Sequence, residues 1–206
     1  LTWGFALATL AAVPAPAERA IAAVRFLAEM HEDVVVGQQL DVLGSATDVE
    51  EMHALKTGSY TVRGPLLLGA TLAGASKATK RALDRFATPL GVAFQLRDDL
   101  LGTFGTETET GKPEGGDLRA GKRTAVLVFA EKTLDSAGQT ALSRVLGDAR
   151  ASRKNVAVAV RALEACGARA AVADRLSALC ERAERGARGL PLTAEARSIF
   201  AGAASA

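Results

Sequence analysis

Polar side chains recur at helical spacing inside otherwise apolar segments, and this pattern constrains the fold of the 206-residue chain most strongly. Gln95, Asp98 and Asp99 are spaced i, i+3 and i+4, so a helix would place them on one face and apolar residues on the opposite face. Gln38 and Asp41 repeat the i, i+3 spacing in an upstream apolar segment, VVVGQQLDVLG. Because buried charge is costly without a partner, these segments predict a helical bundle that lines a polar cavity.

A third polar cluster comprises Lys56, Thr57 and Tyr60, just before the apolar run PLLLGATLAG. A single cation at the head of a segment that should be buried suits the binding of an anion. The alternative is that Lys56 caps a surface turn, which is the commoner role for an isolated lysine.

Composition favours packed helices and excludes several other classes of protein. Hydrophobic residues make up 49% of the chain and aromatic residues only 4%, which indicates an all-α fold. The net charge of +2 does not indicate nucleic-acid binding, and no apolar run reaches the length of a transmembrane helix. Cys166 and Cys180 lack metal-binding spacing, which favours buried thiols in a reducing compartment.

Helical periodicity and the placement of Gly and Pro predict the helices of the chain. The predicted helices lie near 2–13, 16–43, 48–73, 77–104, 122–134, 138–147, 152–166, 168–187 and 192–204.

The segment that follows Asp99 is rich in cations and glycines. Its cations are Lys112, Arg119, Lys122 and Arg123. Carboxylates on a rigid helix suit Mg²⁺, which takes one or two protein carboxylates and completes its shell with water and phosphate oxygens. Cations nearby would neutralise the rest of a diphosphate, so the segment predicts a magnesium-diphosphate site. The alternative is a solvated charged surface, which is the commoner origin of adjacent acids followed by a basic loop.

These motifs resemble those of the trans-isoprenyl diphosphate synthases, or polyprenyl synthetases, the family of farnesyl and geranylgeranyl diphosphate synthases. The shared motifs, in the family's order and spacing, are GQQLD, KTGSY, PLLLGATLAG, FQLRDD and GKPEGGDLRAGKRT. The resemblance implies an isoprenoid-synthase-type helical bundle around a central cavity. It also implies that residues 1–206 form a single helical domain, the C-terminal two-thirds of a polyprenyl synthetase domain.

The resemblance implies a role for each polar residue of the motifs. Asp98 and Asp99 match the second aspartate-rich motif, which holds Mg²⁺. The implied catalytic residues are Lys56, Thr57 and Gln95, the implied diphosphate-binding residues are Lys56, Lys112 and Lys122, and the implied cavity residues are Gln38, Asp41, Tyr60 and Asp117.

Two departures from the family pattern stand out. The second motif is commonly Asp-Asp-x-x-Asp, and here its last position is Gly102, so one carboxylate is absent. The first aspartate-rich motif does not occur in the chain, and we expect it to precede Leu1.

By this resemblance the protein is a cytoplasmic, Mg²⁺-dependent prenyltransferase. It would condense isopentenyl diphosphate with an allylic diphosphate to give a short- or medium-chain trans-prenyl diphosphate, with geranylgeranyl diphosphate favoured. Two alternatives remain: a non-catalytic subunit of a heteromeric prenyl synthase, or a related terpene cyclase.

A homodimer is also expected, formed through helices in the first half of the chain. Segment 48–73 supports it, because it carries more apolar surface than one buried face requires. Its two apolar stripes run through Leu55 and Val62 and through Leu66, Leu67 and Ala70.

Overall fold

The computed structural model of the chain describes residues 8, 10, 12–43, 48–111 and 113–205, and these residues are helical without any β-strand. The all-α class is therefore confirmed. The first elements are α1 (Ala17–Leu43), α2 (Val49–His53), a π-helical segment (Ala54–Arg63), α3 (Gly64–Leu72) and α4 (Lys77–Phe104). They are followed by α5 (Glu107–Thr110), α6 (Gly116–Arg119), α7 (Ala125–Ala130), α8 (Ser136–Ser143), α9 (Arg153–Ala165), α10 (Ala168–Arg188) and α11 (Ala194–Ser205). The helix predicted near 2–13 lies largely outside the described residues.

Side-chain caps and glycines set the helix boundaries in the C-terminal half. The Asp135 carboxylate accepts the N–H of Gly138 at 2.7 Å, and the Ser152 hydroxyl accepts the N–H of Asn155 at 3.2 Å. Gly167 separates α9 from α10 with φ of 84°, a conformation that side chains with a Cβ rarely adopt. The predicted helices 152–166 and 168–187 are thus found within a residue of their expected ends.

Within the described residues, the helices form two compact units. The first contains α1, the π-helical segment, α3, α4 as far as Val92, and the chain from Leu179 onwards. Its core includes Leu67 and Phe86, and the Phe86 ring meets the Phe200 ring edge-on with centroids 5.2 Å apart. Leu67 and Ala70 are buried in this core, so the stripe predicted to serve a dimer interface packs internally.

The predicted helix 48–73 is interrupted by the π-helical segment, which carries Lys56 and Thr57. The backbones of α1 and α4 each come close to the backbone of this segment. A Cβ added to Gly37 of α1 would lie 2.4 Å from the backbone nitrogen of Lys56, and one added to Gly91 of α4 would lie 2.7 Å from the Cα of Gly58. Only glycine allows helices to come this close, and π-helical turns are frequent at functional sites.

The second unit contains residues 48–50 and Ala93–Ala178. Its core includes Leu96, Leu118 and Val126, each at most 1% exposed. Two short helices, α5 and α6, occupy the stretch between predicted helices 77–104 and 122–134. No helix in the described part of the chain has the length and apolar character needed to cross a membrane. That residues 1–206 form one domain stays a prediction.

Candidate active site

In the first unit, α1 brings Asp41 beside Lys56. The Lys56 Nζ forms an ion pair with the Asp41 Oδ2, and their side chains are only 29% and 27% exposed. Lys56 lies within a helical segment and is held by a carboxylate from another helix, which does not fit the cap of a surface turn. The pairing orients the ammonium and leaves its remaining donors for other acceptors.

The other predicted residues of this unit differ in burial. Thr57 is 7% exposed, whereas half of Tyr60 is exposed and Gln38 is exposed on α1. The roles predicted for these residues stay predictions.

In the second unit, α4 places Gln95, Asp98 and Asp99 together as the sequence predicted. The Gln95 Nε2 donates to the Asp99 Oδ1 at 3.1 Å and to the Asp98 Oδ2 at 3.3 Å. Of the apolar neighbours in this segment, Leu96 is 1% exposed but Phe94 is 53% exposed, so the predicted division into a polar face and an opposite apolar face is only partly found. The reason is that α4 turns the side bearing Asp99 and Leu96 toward the core, so Asp98 and Phe94 point outward.

Asp99 is a buried carboxylate, and its environment favours the protonated form. The side chain is 3% exposed, and burial raises the pKa of Asp99 to about 6. The N–H of Ala125 donates to its Oδ2 at 2.8 Å and, with Gln95, offsets part of the rise. The negative charges of Asp117 and Asp98 add to the rise, so three carboxylates act on one another in this unit.

The stability of the protein should therefore decrease as the pH rises through the range in which Asp99 ionises. The pKa is 3.8 in the unfolded chain and about 6 in the folded one, so the folded state binds more protons between these values. The folded state is favoured most below pH 3.8, where Asp99 is protonated. Once Asp99 is ionised above pH 6, the free energy of unfolding is lower by about 3 kcal/mol. Urea unfolding without divalent ions should show Asp99→Asn gaining stability over the wild type as the pH rises, because the amide cannot ionise. The amide oxygen can still accept the Ala125 N–H.

The matched control is Asp174→Asn, which removes an exposed carboxylate of α10. This variant should keep the pH dependence of the wild type that comes from Asp99, because it leaves Asp99 and its hydrogen bonds in place. A pH-independent difference for Asp99→Asn would contradict the buried ionisation.

A cavity of about 400 Å³ opens beside the acidic face of α4. Asp98, Asp117 and Lys122 line it, together with Gly102 and Glu109. The Lys122 Nζ lies 2.5 Å from the Asp117 Oδ1, and this hydrogen bond raises the pKa of Lys122. The charges of Asp98 and Asp99 raise the pKa of Lys122 further, so this lysine stays protonated against an acidic wall.

The other predicted cations are not all available at the cavity. Arg119 donates to the carbonyls of Glu114 and Ala151, and Arg123 pairs with Glu131 at 3.0 Å. Lys112 lies outside the described residues.

The donors beside the cavity fit a magnesium ion that is shared with a phosphate ligand. In the described residues no three Asp, Glu, His or Cys side chains converge as a closed metal site. Asp98 is nevertheless exposed at the cavity, and Mg²⁺ needs only one or two protein carboxylates when phosphate oxygens and water supply the rest.

Two groups beside the acidic face were missed by the sequence analysis. Glu109 lines the cavity from α5, where Thr106 and Glu109 form a capping box that lowers the pKa of Glu109. The Thr-x-x-Glu spacing was a usable signal for this short helix. The Ala125 N–H that holds Asp99 had no signal, because it comes from a residue 26 positions later.

The chain is similar to known prenyl diphosphate synthases in sequence and in structure. The polyprenyl synthetase family model matches residues 3–163. A short chain isoprenyl diphosphate synthase of Methanocaldococcus jannaschii is 28% identical over 146 residues, 68% of this chain and 44% of that protein. A (2E,6E)-farnesyl diphosphate synthase of Mycobacterium tuberculosis is 33% identical over 156 residues, 72% of this chain and 44% of that protein.

Among solved structures, a geranylgeranyl pyrophosphate synthase of Corynebacterium glutamicum, complexed with isoprenyl diphosphate and magnesium, superimposes with a TM-score of 0.85 at 33% identity. The match covers 92% of this chain and 55% of that one. The chain spans less than half the length of the two sequence relatives.

Proposed function

We propose, since this chain belongs to the polyprenyl synthetase family, that the protein of which it is part is a trans-prenyltransferase. Its substrates would be isopentenyl diphosphate and an allylic diphosphate. The single observation that carries the proposal is the acidic face of α4, where Asp98 and the paired Asp117 and Lys122 line one cavity. Carboxylates beside a protonated lysine suit a diphosphate that arrives with magnesium.

In this proposal Asp98 and Asp99 would hold Mg²⁺, which would supply positive charge to neutralise the diphosphate that leaves the allylic substrate. Gln95 orients both carboxylates through its amide N–H groups. Lys122, kept protonated by its acidic neighbours, binds diphosphate oxygens, and Lys112 adds a further cation. Protonated Asp99 would lose its proton when a cation binds, which couples metal binding to pH.

The first unit would contribute a second set of charge-binding groups. Lys56, held by Asp41, binds a diphosphate, while the buried Thr57 and the half-exposed Tyr60 contact the substrate. Gln38 and Asp41 belong to the polar wall on α1. An exposed ammonium in water binds phosphate weakly, so the partial burial of Lys56 strengthens its interaction.

The full-length protein should convert labelled isopentenyl diphosphate and an allylic primer to longer prenyl diphosphates when Mg²⁺ is present. Primers of five, ten and fifteen carbons would show which substrate is preferred. Chelation of Mg²⁺ should stop the reaction, and its restoration should recover it. Absence of any extended product would overturn the proposal and favour the non-catalytic subunit.

We propose geranylgeranyl diphosphate as the favoured product. The support is the likeness to the Corynebacterium glutamicum geranylgeranyl pyrophosphate synthase over 92% of this chain. The test is the length of the product released when isopentenyl diphosphate is in excess.

We further propose a homodimer, with α1 as the interface. Ile21, Val35 and Val42 are separated by multiples of seven, so they follow one face of α1, and they are 60%, 50% and 74% exposed.

Sedimentation of the full-length protein should show a dimer, and Val35→Glu with Val42→Glu should shift it to the monomer. An unchanged mass for the double variant would place the interface elsewhere.

A further inference from the structure

The absent carboxylate of the second aspartate-rich motif has a counterpart elsewhere in the chain. Gly102 follows Asp98 by four residues and Asp99 by three, so it continues their face of α4 by one turn. A Cβ added to Gly102 would lie 2.1 Å from the Asp117 Oδ2 and 2.5 Å from its Cγ. The Asp117 carboxylate therefore occupies the space that a side chain at position 102 would enter.

Asp117 is fixed in this position by its surroundings. Asp117 lies near the start of α6 and is 7% exposed. Its Oδ1 pairs with the Lys122 Nζ at 2.5 Å, and its Oδ2 faces Gly102. Its negative charge also acts on Asp99, as expected for carboxylates on the same side of α4. A short, paired and buried side chain has little freedom to leave this place.

We propose that Asp117 supplies, from the segment after α4, the carboxylate that Gly102 lacks, and that Gly102 is required to admit it. The inference rests on the proposed magnesium-diphosphate function of this cavity. Asp117 acts as a positioning residue: it completes the negative wall beside Asp98 and holds Lys122 at the cavity. In this arrangement the third carboxylate beside α4 comes from α6.

This arrangement predicts that restoring the common motif weakens the site. Gly102→Asp would place a second carboxylate where Asp117 already lies, so the two would repel each other and displace Lys122 from its partner. If position 102 simply lacked a ligand, the same substitution would strengthen metal binding.

The test measures binding without turnover. Mn²⁺ binding to the full-length protein, with inorganic pyrophosphate, is followed by electron paramagnetic resonance for the wild type and for Gly102→Asp, Asp117→Ala, Asp117→Asn and the double variant Gly102→Asp/Asp117→Ala. We expect each single variant to lower the affinity by about 10- to 100-fold, the range for groups that support metal ligands. The double variant should recover most of the loss, because it returns one carboxylate to this side of α4.

Two controls separate this role from folding and from net charge. Asp117→Asn keeps the shape of the side chain, so its loss of affinity would come from charge and not from packing. Asp174→Ala removes an exposed carboxylate of α10 outside the cavity and should bind Mn²⁺ as the wild type does.

Wild-type affinity in Asp117→Asn, or tighter binding in Gly102→Asp alone, would overturn the inference. A double variant as weak as the Asp117→Ala single variant would also overturn it. Binding is measured without turnover, so the two ideas can fail separately. If the protein makes no prenyl diphosphate but shows the expected pattern of Mn²⁺ affinities, the inference would stand and the proposed function would fail. If the wild type makes prenyl diphosphates but its Asp117 variants bind Mn²⁺ as the wild type does, the proposed function would stand and the inference would fail.

Discussion

Replacing Asp98 with alanine in the full-length protein should lower kcat for prenyl transfer by about 10²-fold or more, the loss seen when a preorganised charge-stabilising group is removed. Asp98 is the outward carboxylate of the acidic face and lines the cavity, so of the two adjacent aspartates it is the one open to a metal. The stabilisation it provides would be realised mainly as charge develops on the departing diphosphate, which affects kcat more than substrate binding.

The comparison that makes this result informative is Lys112→Ala. In the proposed site Lys112 would be one of several cations that share the charge of the diphosphate, so its removal should cost less than the removal of Asp98. Asp174→Ala is the control for the loss of a negative charge and should leave kcat unchanged. Small and equal effects of Asp98→Ala and Lys112→Ala would mean that the acidic face is a solvated surface.

Gly37→Ala should destabilise the protein by about 1–3 kcal/mol, because the new Cβ meets backbone atoms that cannot rotate away. The added carbon would lie 2.4 Å from the nitrogen and 2.8 Å from the Cα of Lys56. To relieve this overlap, α1 and the π-helical segment must separate. Lys56 would then move relative to Asp41. In the proposed function Lys56 binds a diphosphate, and a misplacement of about 1 Å should then cost about 10²-fold in rate.

Gly69→Ala is the matched control for this substitution. Gly69 is an exposed helical glycine of α3, and a Cβ there has no atom within 4 Å. Alanine should leave the stability unchanged or raise it by up to about 1 kcal/mol. Urea unfolding followed by circular dichroism compares the two variants, and activity is compared where both are folded. Equal stability of both variants would show that the close approach at Gly37 is unimportant.

Local periodicity was enough to predict the longest helices, although not the shorter ones around 107–143, and to predict the alignment of Gln95, Asp98 and Asp99. Those features depend on residues close in sequence, and α4 begins and ends at the predicted residues. The burial of Asp99 was not predictable in the same way, because it depends on the Ala125 N–H on another helix. The helical pattern places apolar residues on a face, but tertiary packing decides how far that face turns inward, which left Phe94 exposed.

Two further features could not be predicted from residues close in sequence: the carboxylate that fills the space at Gly102, and the π-helical segment. A motif compared position by position registers the absence of an aspartate, whereas the side chain that fills the space comes from Asp117, fifteen residues later in the sequence. The segment around Lys56 has the composition of an ordinary helix. Its π-helical geometry accompanies the approach of Gly37 and Gly91, which are distant in sequence.

Backbone-to-backbone contact at Gly37 and Gly91 limits how this protein can be changed by evolution or by engineering. Contacts made through side chains can be widened or narrowed one methyl group at a time, but a contact between main chains has no side chain to trim. The spacing between α1, the π-helical segment and α4 is therefore difficult to change by substitution at these glycines. A library of substitutions at residues 37 and 91 should therefore return almost only glycine among the folded variants.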